Sequence, residues 1–359
     1  MKILIISLAG IGDTLFATPL IHELRANFPE ANIDALVLWQ GSRDLLECNP
    51  HLTRVHQKNL MKVGTAASLK YLAQLRRNHY DVSINTHPQS RVHYRFVARL
   101  ISARRRLSHQ YHNATLLDPF LVNRTIRQDY GKHSIENNLA FLQLIGAKPL
   151  LPQHSYEIFL SQAEFAWADE FLATCKLTGQ TLVGIHVGSG GTKNLALRRW
   201  PLLSYVELMK RLSHACPALR ILLFGGPEEE RDHKQILAQV DHDFVHQPST
   251  KNLRQAAALL RHCHLFLSVD TALMHVAAAM KVRKQIVIET PTWNKPIEPY
   301  GNPFFLVKNP AVAGRNLEFY RYDGRGIHGT REELIKCMAS VSVESVYGAI
   351  EAAIKEVGS

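Results

Sequence analysis

The sequence predicts an α/β protein made of two doubly wound domains, each with a parallel sheet between layers of helices. Apolar runs of strand length alternate with segments of helical period, the pattern that βαβ units produce. The 359 residues exceed what one ordinary domain needs, and a hydrophobic content of 46% supplies apolar surface for two cores. A segment with two prolines interrupts the alternation near the middle of the chain.

Each half of the chain begins with the same kind of unit. In the first half, a strand over residues 3–8, a helix over about 14–27 and a strand over 33–38 are predicted, and a helix over 66–77 precedes a further strand. That strand is Val82–Asn85. The second half resumes the pattern with apolar runs at residues 182–187, 221–224, 265–269 and 285–288. This order favours a parallel sheet in each half.

Prolines at 149 and 152 interrupt both helix and sheet, so residues 148–152 are the predicted linker. The first domain then covers residues 1–152 and the second 153–340. The remaining residues, 341–359, carry apolar side chains at helical spacing. We expect them to form a helix that packs back at the domain junction.

Composition limits the function classes. Lys and Arg outnumber Asp and Glu by 42 to 31, a formal charge of +11 that favours an anionic partner such as nucleic acid, phosphorylated lipid or nucleotide. The five cysteines form no paired motif, which argues against a disulfide framework or a zinc site. No apolar run reaches membrane-spanning length, and no secretory signal is apparent. We expect a cytoplasmic protein with at most peripheral membrane contact.

The turn after the first strand is the first candidate site. Gly10 to Thr14 places backbone amides and a helix start at the end of a strand, where α/β proteins bind ligands. A dinucleotide fingerprint would need a third glycine where Leu15 stands, and Asp34 meets its acidic position only loosely. A nicotinamide-dependent dehydrogenase is therefore disfavoured. The local pattern alone favours Asp13 as the N-cap of the following turn, with a chemical role as the alternative.

A second candidate site lies in the second half. Residues 268–279 read as a buried strand, a polar turn and a small-residue helix, whose first amides and the Thr271 hydroxyl can hold a diphosphate. A capped core helix with His275 hydrogen-bonded inside remains an equal alternative. Upstream, a glycine-rich loop runs from Gly188 to Lys193, with Arg198 beyond it. Its spacing is not that of a Walker loop, and a plain surface loop is the alternative.

Taken in order, these segments resemble glycosyltransferase family nine, the ADP-heptose lipopolysaccharide heptosyltransferases, over nearly the whole chain. The resemblance rests on residues 3–5, 12–15, 18–20, 186–201, 224–228, 268–279, 291–292 and 299–301. It implies the GT-B fold, with two Rossmann-like domains facing a central cleft. The donor is then expected in the C-terminal domain and the acceptor in the N-terminal domain.

The resemblance also implies roles for single residues. Asp13 takes the position of the catalytic base in an inverting, metal-independent displacement. Arg198, Thr271 and the amides near Ala272 are expected to stabilise the leaving diphosphate. Asp270 is expected at the sugar hydroxyls. The complete nucleotide-sugar set is Ser189, Thr192, Lys193, Arg198, Glu228 at the ribose, Lys251 near the adenine, Asp270, Thr271, Ala272 and His275.

Three positions depart from the family pattern. Ala272 stands where glycine is usual, Arg198 where lysine is common, and Glu289-Thr290 where a Phe-Gly type pair occurs. Arginine keeps the charge and can grip phosphate with two hydrogen bonds, so that change should be tolerated. The other departures leave the identity of the donor open.

The sharpest charge asymmetry lies at residues 91–132, with nine basic residues against two acidic ones. A solvated helix face is one interpretation, and a surface for phosphorylated acceptor sugars or an anionic membrane leaflet is the favoured one. The predicted acceptor residues are Gly12, Arg91, Arg95, Arg124 and Arg127. No metal or cofactor is expected, since residues 241–243 resemble a solvated turn and residues 262–264 alternate in direction along a strand.

The resulting prediction is an enzyme that moves a heptose from ADP-heptose to a lipopolysaccharide core acceptor at the inner-membrane surface, with no nucleic-acid partner. One alternative is a transferase of the same family that uses another nucleotide sugar. A second, of a different class, is a non-catalytic protein that binds polyanions or anionic lipid.

Overall fold

The computed structural model describes residues 1–190, 195–292, 295–312, 317 and 329–358. The chain divides into two compact units, Met1–Phe159 and Leu160–Ser359. Each unit contains one six-stranded sheet whose strands are all parallel. The α/β class and the doubly wound arrangement of each half are confirmed, and the division falls a few residues after the predicted linker.

The sheet of the first unit has the order β3-β2-β1-β4-β5-β6. Its central strand β1 pairs with β2 on one side and β4 on the other, and four of its residues are completely buried. The strands are β1 Lys2–Ser7, β2 Asn32–Val37, β3 Arg54–Gln57, β4 Val82–Asn85, β5 Arg105–Gln110 and β6 Arg124–Arg127.

Helices cover both faces of this sheet and bury separate clusters. The helices are α1 Thr18–Asn27, α2 Gln40–Leu46, α3 Thr65–Arg76, α4 Val92–Ile101, α5 Asp118–Leu121 and α6 Ser134–Leu139, with 3₁₀ helices Gly12–Ala17 and Ala140–Ile145. One cluster joins Leu20 and Leu24 of α1 to Ile3 and Ile5. The opposite cluster joins residues of α3 and α4 to the alternate strand residues, including Leu4. Side chains alternate along each strand, so both faces acquire an apolar core.

The beginning of the first helix differs from the prediction. Residues 14–17 belong to a 3₁₀ helix, and the α-helix begins only at Thr18. Pro19 lies in the first turn of α1 and has no amide hydrogen to donate to a preceding turn. The proline therefore suits the start of a helix rather than its interior, and the tighter helix carries the chain from β1 into α1.

The second unit repeats the architecture with the order β12-β11-β10-β7-β8-β9. Its strands are β7 Thr181–His186, β8 Leu219–Phe224, β9 Val245–His246, β10 Leu265–Ser268, β11 Lys284–Ile288 and β12 Phe304–Val307. Its helices are α7 Gln162–Thr174, α8 Leu202–Ala215, α9 Glu230–Leu237, α10 Leu253–Leu260, α11 Ala272–Ala279, α12 Arg331–Ala339 and α13 Val343–Gly358, with 3₁₀ helices Leu195–Arg198 and Lys295–Ile297.

The C-terminal helix α13 contributes to the core of the second unit. Val346, Ile350 and Ala353 are almost completely buried and share a cluster with the strands of the second sheet. Among the described residues, no single helix has the length and apolar composition of a membrane span. Only α12 taken together with Val343–Glu356, at a bend of 50°, matches those criteria, and both helices bury apolar side chains in the unit.

We predict that Ile350→Ala destabilises the second unit by about 2–5 kcal/mol, because it removes a completely buried side chain from its core. Denaturant unfolding followed by tryptophan fluorescence measures this change, since Trp200 belongs to the same cluster. Glu351→Ala is the matched control, because its side chain is exposed on the same helix. Equal stability of both variants would contradict the packing of α13.

Candidate active site

Strand direction determines where functional groups collect in the first unit. All six strands are parallel, so every loop that follows a strand lies at one edge of the sheet. Asp13 follows the central strand β1 and sits, half-buried, in the first turn of the 3₁₀ helix. The structure therefore places the predicted base where α/β folds bind their ligands.

A short loop holds the Asp13 carboxylate. The Gly10 amide donates a hydrogen bond to Asp13 Oδ2 at 2.7 Å. The residue that precedes the 3₁₀ helix is Ile11, and no side chain caps this helix, so Asp13 is not its N-cap. A Cβ on Gly10 would lie 2.9 Å from Asp13 Oδ2, which makes the missing side chain a condition of this geometry. Beside it, Thr14 Oγ1 donates to Ser42 Oγ at 2.8 Å.

A buried polar layer lies beneath this loop, and the sequence pattern did not reveal it. The Gln89 side chain, 1% exposed, accepts the Leu8 amide and donates to the Thr86 carbonyl, which joins the ends of β1 and β4. Asn138 accepts the His87 amide at 2.7 Å and donates to the Phe16 carbonyl at 3.1 Å. These amides connect the 3₁₀ helix that carries Asp13 to the neighbouring strand ends.

The predicted acceptor arginines do not form one basic face. Arg95 is 1% exposed and pairs with Asp118 at 3.0 Å, so it pins α4 to α5 and is not available on the surface. Arg124 is the first residue of β6 and lines a cavity of about 610 Å³ at the edge opposite Asp13. Arg91 precedes α4 and Arg127 ends β6, so these two exposed arginines lie toward the Asp13 edge. Gly12 is buried in the first turn of the 3₁₀ helix.

In the second unit, the structure brings two of the predicted donor residues into direct contact. The Arg198 guanidinium, 2% exposed, forms an ion pair with Asp270 Oδ2, and its other terminal nitrogen lies 3.5 Å from Thr292 Oγ1. An arginine buried this deeply requires such a partner. Asp270 follows the carboxyl end of β10, and the pair therefore lies at the ligand-binding edge of the second sheet.

The N-terminus of α11 lies beside this pair. Thr271 is the N-cap, and its hydroxyl accepts the Met274 amide at 3.3 Å. His186 Nδ1, from the end of β7, lies 3.2 Å from the same hydroxyl. Ala272 is the first residue of the helix, and His275 is buried one turn further on. The free amides and dipole of this helix start favour an anionic ligand such as a diphosphate.

The carboxylate next in sequence to the predicted Glu228 packs against the glycine-rich loop. Glu228 is exposed, whereas Glu229 is 5% exposed and packs so closely on Gly188 that a Cβ there would overlap its carboxylate. Glu229 accepts the Gly226 amide at 3.0 Å and pairs with Arg199 at 3.0 Å. Burial raises the pKa of Glu229.

The remaining predicted donor residues are distributed unevenly. Ser189 is buried and its hydroxyl donates to the Leu195 carbonyl. Thr192 and Lys193 lie outside the described residues. Lys251 is exposed just before α10, while the nearby Arg254 is buried against Glu164 of α7, with one N–O distance of 2.8 Å. Lys251 is thus the cation in this segment whose side chain is exposed to a ligand.

The Glu289-Thr290 departure follows the carboxyl end of β11. Glu289 is 5% exposed, and its Oε2 accepts the Asn309 amide at 2.8 Å. Thr290 is completely buried, with its hydroxyl 3.5 Å from the Thr292 carbonyl. The glutamate therefore ties two chain segments at this edge together, and the threonine lies beside the residue that contacts Arg198.

Among the described residues, one group of side chains comes close enough to share a metal ion. His22, His51 and Glu157 of the first unit each bring a ligand atom within 4.8 Å of the others. The two imidazoles are stacked at 3.8 Å with an angle of 15° between their planes. Lone pairs in two nearly parallel rings cannot converge on one ion, so this arrangement does not present a ligand set. Burial and the neighbouring His22 and Arg25 lower the pKa of His51 to about 4.

Two α/β units that each contain a parallel six-stranded sheet, one with a half-buried carboxylate and the other with a buried Arg–Asp pair beside a helix start, are typical of GT-B glycosyltransferases. The profile of glycosyltransferase family 9 (heptosyltransferase) matches residues 68–316, more than half of the chain. The chain belongs to this family and is a glycosyltransferase, as the resemblance predicted.

Curated relatives agree with the family assignment. Lipopolysaccharide heptosyltransferase 3 of Escherichia coli K12 is 26% identical over an alignment of 288 positions that covers 75% of this chain and 77% of that protein. Lipooligosaccharide heptosyltransferase 2 of Haemophilus ducreyi is 28% identical over an alignment of 313 positions that covers 80% of this chain and 82% of the relative.

Solved structures confirm the GT-B fold. A glycosyl transferase of family 9 from Veillonella parvula matches with a TM-score of 0.79 at 20% identity, covering 99% of this chain and 97% of its own. The E. coli ADP-heptose lps heptosyltransferase II matches with a TM-score of 0.74 at 20% identity over the full length of both chains.

We predict that Gly10→Ala lowers turnover by about tenfold to a hundredfold, because the new methyl group displaces the Asp13 carboxylate. Steady-state kinetics measure the loss, and thermal unfolding shows whether the fold survives. Gly348→Ala is the matched control, since a Cβ at that helical glycine would meet nothing within 4 Å. If both variants keep wild-type turnover, the Gly10 loop does not set the position of the carboxylate.

We also predict a loss of stability in acid that His186 causes. Burial, with His233 and Arg199 nearby, lowers the pKa of His186 from 6.5 to about 3. Between about pH 3 and 6.5, His186 is therefore protonated in the unfolded chain but neutral in the folded chain. Because the unfolded chain binds the extra proton, the stability of the fold falls as the pH drops below 6.5. At about pH 5, the free energy of unfolding is about 2 kcal/mol lower because of His186.

Denaturant unfolding across this pH range tests the effect in His186→Asn, which keeps a hydrogen-bonding side chain beside Thr271. The variant should lose less stability in acid than wild type. His242→Asn, at an exposed histidine, is the control and should behave like wild type. An unchanged acid response in His186→Asn would show that another group is responsible.

Proposed function

We propose that this enzyme transfers a heptosyl group from ADP-heptose to a sugar hydroxyl of a lipopolysaccharide core, with inversion and without a metal ion. The names of the relatives support the transferred sugar and the acceptor class. A further relative of the same fold was solved with ADP-2-deoxy-2-fluoro heptose, which supports the donor. The observation that carries the mechanism is the Asp13 carboxylate held at the ligand-binding edge of the first unit.

The reaction needs one base. The acceptor hydroxyl oxygen attacks the anomeric carbon while an Asp13 oxygen takes the hydroxyl proton, and the bond from that carbon to the diphosphate oxygen breaks. ADP leaves with the bonding electrons from the opposite face. Gly10 donates to Oδ2 of Asp13, which fixes the carboxylate in one orientation. Because the carboxylate is already oriented, it loses little conformational entropy when it accepts the proton in the transition state.

The diphosphate is proposed to bind at the start of α11. Charge that develops on the leaving group is stabilised by the amides of that helix and by Arg198. Asp270 keeps the buried guanidinium charged and oriented before the donor arrives, and the same carboxylate is proposed to contact sugar hydroxyls. Glu229, rather than Glu228, is our candidate for the ribose, because its carboxylate faces the backbone of the glycine-rich loop.

The acceptor is proposed to bind at the same edge as Asp13. Arg91 and Arg127 remain the candidates for its negatively charged groups, since both are exposed toward that edge. Arg95 is not proposed as a direct contact because it is buried, and Arg124 is not proposed because it lies at the opposite edge of the sheet.

Asp13→Asn tests the base directly. The amide keeps the shape of the side chain but cannot accept the hydroxyl proton, so kcat should fall by about 10²–10⁴-fold. ADP binding, measured by calorimetry, should remain unchanged because the nucleotide is proposed to bind in the other unit. Asp243→Asn, at an exposed turn of the second unit, is the control and should retain wild-type turnover.

The same assay tests donor and metal. Wild-type turnover of ADP-heptose should persist in excess chelator, and ADP-heptose should exceed UDP-sugars in kcat/KM on a truncated lipopolysaccharide acceptor. Loss of turnover on chelation that added divalent metal restores would contradict the metal-independent mechanism. A clear preference for another nucleotide sugar would replace ADP-heptose as the donor.

A further inference from the structure

Exposed apolar side chains concentrate on one region of the first unit. Five of the twelve large apolar side chains that are exposed in the described part of the chain lie within residues 96–120. We call them the apolar tip; they are Phe96 (43% exposed), Leu100 (40%), Leu116 (93%), Leu117 (53%) and Phe120 (73%). Large apolar patches on a protein surface mark binding surfaces more often than accidents of packing.

The members of the apolar tip are neighbours held by a defined structure. Asp118 Oδ1 receives hydrogen bonds from Arg95 of α4 and from Thr115, both at 3.0 Å, which fastens the turn before α5 onto α4. Leu121 and Val122, at 5% and 2% exposure, anchor the end of this segment in the unit. The exposed leucines and phenylalanine therefore project from an anchored turn.

Positive charge surrounds the apolar tip. Residues 61–132, which contain α3, α4 and α5, hold thirteen Lys and Arg against three Asp. Not all of these cations adjoin the tip, because Arg95 is buried in its ion pair and three arginines line the cavity at the opposite edge of the sheet. The helices α3 and α4 pack side by side, as do α4 and α5. Lys62, Lys70, Arg91 and Arg99 are exposed on or next to the first two of these helices.

Apolar side chains within a basic surface match the interface of an anionic bilayer. Leucine and phenylalanine enter the boundary between headgroups and acyl chains, while arginine and lysine meet the lipid phosphates. A second copy of the chain is a poor occupant, because two surfaces that each carry an excess of Lys and Arg would repel each other. Nucleic acid would engage the cations but leave the leucines in water.

The segment that carries Leu116 and Leu117 starts on the functional side of the sheet. Residues 111–117 leave β5 at its carboxyl end, the edge at which β1 ends and Asp13 follows. A surface lipid held by the tip would keep its headgroup near this edge.

We propose that the apolar tip and its surrounding cations form a docking surface for anionic phospholipid bilayers, with Leu116, Leu117 and Phe120 inserted among the headgroups. This surface brings a membrane-anchored acceptor to the Asp13 edge. The inference goes beyond the transfer reaction and does not depend on the identity of the donor.

Vesicle flotation tests the docking surface with the full-length enzyme. Wild type should float with phosphatidylcholine vesicles that contain phosphatidylglycerol and stay behind with pure phosphatidylcholine. The triple variant Leu116→Ser, Leu117→Ser, Phe120→Ser should bind the anionic vesicles at least about tenfold more weakly. Leu203→Ser with Ile335→Ser is the matched control, since both side chains are exposed in the second unit at 70% and 50%.

A second variant separates the electrostatic contribution to vesicle binding from the insertion of apolar side chains. Lys70→Glu with Arg99→Glu should weaken binding to the anionic vesicles and flatten its salt dependence, with the apolar tip intact. Transfer to a truncated, water-soluble acceptor should stay at the wild-type level in both sets of variants. That assay distinguishes the two proposals, because a wild type that floats but does not transfer would contradict only the proposed function.

Three results would overturn the docking surface. They are a wild type that ignores anionic vesicles, a folded triple serine variant that binds them as wild type does, and a wild-type dimer that the triple variant abolishes without any vesicle binding. Thermal unfolding of each variant establishes that it is folded.

Discussion

The direction of the strands is the constraint on which the rest of this structure depends. In each unit six parallel strands end at one edge, and the loops that follow them therefore meet although they are distant in sequence. In the first unit, Gln89 after β4 and Asn138 of α6 make hydrogen bonds to Leu8 and Phe16, on either side of Asp13 in the chain. Arg198 and Asp270 meet in the second. Hydrogen bonds between these polar groups and neighbouring chain segments offset the free-energy cost of removing them from water.

The two units share this geometry but carry different charged groups at the edge where their strands end. In the first unit, the Gly10 amide holds the carboxylate that we propose as the base, and the absence of a side chain at Gly10 leaves room for it. In the second unit, a buried arginine is paired with an aspartate beside the helix start at which we propose that the diphosphate binds. Burial, with His233 and Arg199 nearby, lowers the pKa of His186 beside this helix start.

Much of the fold follows from apolar periodicity, because long buried strands such as β1 and β7 are unmistakable at the level of residue type. The edge strand β3 and the 3₁₀ helix before α1 were not predicted, since none of the four residues of β3 is buried and the apolar pattern does not distinguish a 3₁₀ turn from the α-helix that follows it. Asp13 could be located from its turn. The burial of Arg95 and of Glu229 could not be predicted, because both depend on which way a side chain faces after packing.

The anomeric configuration of the product tests the central claim most directly, since a single backside displacement, assisted by one carboxylate as base, must invert the reacting carbon. Proton and carbon NMR of the isolated oligosaccharide, compared with the donor, reads this configuration. We predict an inverted linkage in the first product formed. Retention of the donor configuration would rule out a single backside displacement and would contradict Asp13 as the base that assists it.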